Sequence, residues 1–170
     1  MRVMAFDIGI HHFAWAKMRS PPEPDVVAMD CFDIAGTHKH MKTTDLYPIL
    51  LRDLRSLCYQ NVGTVLIEQQ MNRMNIRATK LAVFVYSFFL IEHPEITVLE
   101  FPAFHKTRVF GVHGLSKPER KKWSICYVAE HVIHDDPVAK DWLDQFPKKD
   151  DICDCVMMVL SFHKLVKTES

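Results

Sequence analysis

Four carboxylates close or open apolar segments in this chain: Asp7 in RVMAFDIGI, Glu68 in TVLIEQQ, and Asp151 with Asp154 in KKDDICD. The first two end runs that read as buried strands. The other two are three residues apart at the start of an apolar-periodic helix and so share one face. Taken singly, Asp7 reads as a strand-end acid turning beside Gly9, and Asp150, Asp151 and Asp154 as acids complementing a helix N-terminus. Taken together they repel one another unless a cation intervenes. An all-oxygen donor set suits hard divalent ions such as Mg²⁺ or Mn²⁺, which activate water for attack on a phosphodiester. The pattern predicts a metal-dependent nuclease.

At 170 residues, 48% hydrophobic and 25% charged, the chain is expected to form a single domain over residues 1–170 with a sizeable core. Cys31, Cys58, Cys126, Cys153 and Cys155 include no CxxC pair, which argues against both a disulfide framework and structural zinc. No apolar run reaches a spanning length, so no membrane partner is expected. Met1 stands six residues before Asp7, so no cleavable leader is expected ahead of the first strand.

The net charge is zero and the pI about 7.1, yet the charges are segregated. Residues 69–80 carry Arg73, Arg77 and Lys80 with no acid, a net +3. Residues 105–122 carry Lys106, Arg108, Lys117, Arg120, Lys121 and Lys122 against Glu119 alone, a net +5. A neutral chain can thus be basic where a nucleic acid lies. Gln70, Arg73, Arg77, Lys80, Lys106, Arg108, Lys117, Lys121 and Lys122 are the expected DNA contacts.

Positioning these residues requires particular elements. Residues 2–10, 12–18 and 26–34 read as three successive strands, the last two separated by SPPEPD. Thr43 or Thr44 is expected to cap a helix carrying Leu46, Ile49, Leu50, Leu54 and Leu57. Gly63 ends the connection to a short strand, 64–67, that delivers Glu68. Residues 76–93 form a helix apolar almost all round, suited to burial or to a subunit interface. A fifth strand, 96–101, leads into a basic loop. Helices open at Ser116, at Pro137 and at about Lys149. This order makes an α/β layer system.

In DIGI followed by the small-residue strand FAWA, in LIEQQ with arginines after it, and in KKDDICD opening the last helix, the chain resembles the RuvC-like Holliday junction resolvases, particularly the poxviral and fungal mitochondrial branch. The resemblance covers nearly the whole chain in the correct order. It implies a ribonuclease H-like fold, a five-stranded mixed sheet with the first three strands antiparallel, flanked by helices. It implies that Asp7, Glu68, Asp151 and Asp154 hold two Mg²⁺ or Mn²⁺ ions per active site, and that a lysine from HKTRVFGVHGLSKPERKK reaches the scissile phosphate. Lys106 and Lys121 are the candidates carried forward, with Lys117 and Lys122 competing. The implied activity is a structure-selective endonuclease that resolves four-way DNA junctions by paired symmetric nicks, leaving 5′-phosphate and 3′-hydroxyl ends. Two symmetric cuts call for a homodimer, expected through the apolar helix around 81–91. A viral replication site in the cytoplasm is the expected compartment, with mitochondria the alternative.

Several features point elsewhere or nowhere. A related nuclease of this fold acting on RNA or flap DNA, and a non-catalytic junction-binding module, are the rival readings; an actin- or sugar-kinase-type phosphate site suggested by DIGI would need a second lobe. His38 and His40 lack further zinc ligands. Phe84, Tyr86, Phe88 and Phe89 have helical spacing that favours core or dimer contact. Cys153, between two acids, reads as packing. The sequence leaves the roles of Asp150, His11 and His12 open.

Overall fold

The computed structural model describes residues 1–21, 25–36, 41–70 and 75–168. Its five strands are β1 (Arg2–Asp7), β2 (Phe13–Arg19), β3 (Val26–Phe32), β4 (Val62–Glu68) and β5 (Thr97–Phe101), ordered β3-β2-β1-β4-β5. β1 to β3 pair antiparallel, whereas β4 and β5 run parallel to β1. The helices are α1 (Thr43–Ser56), α2 (Ile76–Glu92), α3 (His105–Arg108), α4 (Lys117–His131), α5 (Pro137–Asp144) and α6 (Lys149–Thr168). The expected mixed sheet with three leading antiparallel strands is thus present.

Strand alternation divides the core in two. Met4, Phe6, Phe13 and Trp15 point to the face covered by α1 and α2, where the ring centroids of Phe6 lie 5.6 Å from Phe13 and 5.7 Å from Phe89. Val3, Ala5, Ala14, Ala16 and Met29 point to the opposite face, under α6. The register sets Ala5 opposite Ala16 and Asp7 opposite Ala14, and Ala14 in turn opposite Cys31. This stripe of small side chains lets α6 lie close over the sheet, and it leaves space beside Asp7 for the acids of the helix.

Local details depart from the sequence expectations. β1 ends at Asp7 instead of reaching residue 10: the chain turns tightly at Gly9, where a Cβ would meet the His12 carbonyl oxygen at 2.4 Å, and the Ile10 carbonyl accepts from the Ile34 N–H at 2.9 Å. Lys42, not a threonine, precedes α1, and no side chain caps it. Gly63 lies inside β4, where a Cβ would meet the Met1 sulfur at 2.4 Å. α4 opens on a reciprocal capping box between Ser116 and Glu119, and Asn75 caps α2 by accepting from the Ala78 N–H. The basic loop after β5 contains the extra turn α3. Its residues carry no periodic signal; it is held by tertiary contacts, including a 3.1 Å bond from the Ser161 hydroxyl to the His105 carbonyl. No helix of the described residues is long and apolar enough to cross a membrane.

The small-residue stripe is testable. Ala14→Leu should cost about 1–3 kcal/mol by overpacking the α6 interface, measured by urea denaturation, whereas a substitution at exposed Glu95 should leave the midpoint nearly unchanged.

Candidate active site

Asp7 and Glu68 end two neighbouring parallel strands, so the paired register of β1 and β4 delivers both carboxyls to the same end of the sheet. The carboxyl ends of parallel strands are the usual place for such a site. α6 brings its first turns over that end, and α3 follows directly from the same end of β5. The ammonium of Lys106 on α3 sits between the two, donating at 2.7 Å to Glu68 Oε1 and at 2.7 Å to Asp154 Oδ2. Lys106 is buried, at 7% exposure, while both acceptors are half-buried.

The electrostatics follow from this enclosure. Burial pushes the Asp7 carboxyl well above the usual carboxylate range, with the Glu68 charge adding to it and Lys106 opposing. Glu68 is held below its ordinary value: burial works against ionisation, but the Lys106 charge and a hydrogen bond from Asp7 outweigh it. The two neighbouring carboxyls are thus shifted in opposite directions, Asp7 upward and Glu68 downward. Lys106 stays charged because Asp154, Glu68 and Asp7 outweigh the burial that would otherwise discharge it.

Asp151 belongs to an adjoining group. Lys121 of α4 donates to Asp150 and lies 3.8 Å from Asp151 Oδ1. Burial and then the Asp150 charge raise the Asp151 carboxyl, while Lys121 holds Asp150 below its ordinary value despite burial. The structure thus brings Asp7, Glu68 and Asp154 together around Lys106 and sets Asp151 beside Asp150 and Lys121. In this arrangement the described residues contain no three-ligand His, Cys, Asp or Glu group shaped to hold a metal ion.

The remaining sequence candidates surround this centre unevenly. Gln70 folds back, its side-chain amide donating to the Glu68 carbonyl at 3.3 Å. Arg77 Nη2 donates to the Met41 carbonyl at 2.6 Å, tying α2 to the segment before α1. Lys117 lies near enough to help lower Glu68. Lys80, Arg108 and Lys122 are exposed. Arg73, His38 and His40 lie outside the described residues.

Other site neighbours had little sequence signal. Cys31 of β3 is half-buried across the sheet from Asp7, and burial together with Asp151 pushes its thiol up to about 12. Lys148, just ahead of α6, acts electrostatically on both Asp151 and Cys31. Among the open residues, Asp150 is the partner of Lys121, and His11 Nδ1 lies 3.1 Å from Asp33 Oδ1. Asp33 also accepts from the backbone N–H groups of Ala35 and Gly36, so this pair orders the turn after β3. Cys153 is buried in the core, its thiol pushed up to about 12 mainly by that burial. All five cysteines are free.

Comparison with known proteins places this geometry. A family described as Poxvirus A22 protein matches residues 1–166. The uncharacterized protein 97L of Invertebrate iridescent virus 3 is 35% identical over 106 residues, which cover 60% of this chain and 48% of the relative. The chain thus spans about half the length of that relative. The fold is shared with the fowlpox virus resolvase in complex with Holliday junction DNA: TM-score 0.72, 21% identity, 98% of this chain and 99% of that one. It is shared also with the yeast mitochondrial Holliday junction resolvase Ydc2 (TM-score 0.68, 14% identity, 95% and 78%) and with Thermus thermophilus RuvC (TM-score 0.67, 14% identity, 99% and 97%). The architecture is that of the RuvC-like resolvases on a ribonuclease H-like fold, and the chain belongs to the poxvirus A22 protein family.

Proposed function

We propose that this chain is a divalent-metal-dependent endonuclease that resolves four-way DNA junctions by paired symmetric nicks, leaving 5′-phosphate and 3′-hydroxyl ends. The observation that carries the reading is the carboxylate cluster closed around the Lys106 ammonium. It is supported by the family match and by the two viral and mitochondrial resolvases that share the fold.

The chemistry of the donor set, though not its present spacing, suits a divalent cation. Their donors are carboxylate oxygens, and Lys106 occupies the cluster as a positive charge in contact with two of them. Asp7, Glu68, Asp154 and, from the next turn of α6, Asp151 are the residues that would hold two Mg²⁺ or Mn²⁺ ions. Such ions supply Lewis acidity and an activated water for phosphodiester hydrolysis. Lys106 is assigned to meet the charge that would develop on the scissile phosphate, a reading supported by its contacts with Glu68 and Asp154. Lys121 fixes Asp150 and Asp151 and so positions the start of α6. Gln70, Arg73, Arg77, Lys80, Arg108, Lys117 and Lys122 are assigned to the DNA backbone, which they would bind without reading sequence. Arg77 would do so with the guanidinium N–H groups that Met41 leaves free.

A homodimer through α2 completes the reading. Ile76, Val83 and Leu90, seven residues apart, are 65%, 58% and 55% exposed, and the adjacent Ile91 is 76% exposed. Heptad spacing puts the first three on one stripe, beside the open edge of β5 with its exposed Leu99. An apolar stripe of this kind calls for a partner, and a second copy would pair two active sites with two symmetric strands. The poxviral family and the iridescent virus relative favour a viral replication site, and a mitochondrial enzyme shares the fold.

Four experiments test these assignments. Asp7→Asn should abolish Mg²⁺-dependent cleavage of a synthetic four-way junction while leaving its binding largely intact; normal nicking by the variant, or cleavage that survives EDTA, defeats the metal assignment. Running junction, flap and RNA duplex side by side separates the rival substrates. Lys106→Met removes one partner of a buried ion pair and should cost about 3–5 kcal/mol in EDTA. Added Mg²⁺ or Mn²⁺ should recover more thermal stability in this variant than in the parent, and an unchanged midpoint would exclude Lys106 as the cation of the cluster. Leu90→Glu should yield monomers by light scattering, and a dimer that persists moves the interface off α2.

A further inference from the structure

We propose that a second nucleic-acid contact, separate from the carboxylate centre, lies in the groove between α3 and the C-terminal turns of α6 and takes the phosphates of a DNA arm. This inference rests on the junction reading above. The groove encloses about 590 Å³ and is lined by His105, Arg108, Val109, Lys164, Leu165 and Lys167, with Thr168 at its end. No carboxylate is among these residues, and Arg108, Lys164 and Lys167 have no ion-pair partner among the described residues. Unpaired cations gathered in a groove raise the local potential and favour a polyanion.

Position connects the groove to the catalytic end. Asp154, Ser161 and Leu165 recur at helical spacing on α6, so they form one stripe, and that stripe faces α3: Asp154 meets Lys106, and Ser161 bonds the His105 carbonyl. α3 itself is divided, Lys106 being buried toward the acids while Arg108 is exposed toward the groove. From Asp154 to Leu165 the helix advances about 16 Å at 1.5 Å per residue. A strand cut at the carboxylates would reach the groove about five nucleotides away at 3.4 Å per step. The site is also partly built in advance: the Lys164 ammonium lies 4.2 Å from the centre of the Phe110 ring, and Phe110 packs on Trp123 and Tyr127. That contact restricts a side chain that would otherwise lose more freedom on binding.

The test measures junction binding by the full chain in EDTA, across a series of KCl concentrations. Combined Arg108→Gln, Lys164→Gln and Lys167→Gln should weaken binding by about tenfold or more and reduce the slope of log Kd against log salt by about 2 to 3. Lys167→Gln alone should reduce it by about 1, which serves if the triple variant does not fold, and Lys164→Arg with Lys167→Arg should retain the parental slope. Methylphosphonate at the phosphates about five steps from the cleavage point should weaken the parent but not the triple variant. A folded triple variant with parental affinity and slope overturns the groove as a DNA contact and leaves it to another ligand, such as an acidic peptide. Failure of the unaltered protein to bind junctions at all sinks the junction reading itself, and with it the ligand named here.

Discussion

The arrangement depends on one charged contact, the Lys106 ammonium held between Glu68 and Asp154 at the end of the sheet. Drawing several carboxylates out of water is unfavourable unless a cation accompanies them. The fold meets that need with Lys106, whose positive charge contacts two of the acids, while burial and the Glu68 charge raise the Asp7 carboxyl. Each feature of the surrounding architecture serves to bring these groups together. Parallel pairing of β1 with β4 aligns two acids, the small side chains of Ala5, Ala14 and Ala16 admit α6, and the short α3 turns a lysine inward.

The acids at the start of α6 are divided between two lysines. Asp154 answers to Lys106, whereas Asp150 and Asp151 answer to Lys121 on α4. This division gives Asp150 a structural task, the anchoring of α4 against α6. It also leaves Asp151 with a raised carboxyl and no direct hydrogen bond from a lysine, close to Cys31 and Lys148. The two lysine-centred groups adjoin along one helix.

The two sides of the sheet are specialised by side-chain size. Small residues under α6 favour close approach at the carboxylate end, while Phe6, Phe13 and Phe89 fill a thicker layer beneath α1 and α2. α2 packs that layer with Leu81, Val85, Phe88 and Phe89, and turns Val83, Leu90 and Ile91 outward. A helix that reads as apolar on nearly every side is explained by this double duty, half core and half proposed interface. Phe88 and Phe89 are core, and Phe84 stacks on Tyr47 with ring centroids 4.8 Å apart. None of the three is placed as a base-stacking platform.

The strands, the long helices and the acids that end or begin them were legible in the sequence, because alternation, helical periodicity and capping are local properties of the chain. Asp7 and Glu68 announced themselves by ending apolar runs, and Asp151 and Asp154 by their spacing. Neither α3 nor the choice of Lys106 among several lysines could be read that way. A four-residue turn has no periodicity, and which ammonium is buried depends on contacts between residues 38 and 48 positions apart. The same holds for Arg77, whose bond to Met41 spans 36 positions, and for Cys31, which meets Asp7 only through the register of three strands. Sequence determined which groups could carry chemistry. Tertiary structure alone decided which of them share a solvent-poor space, since charge pairing across the fold is settled by packing and not by neighbours in the chain.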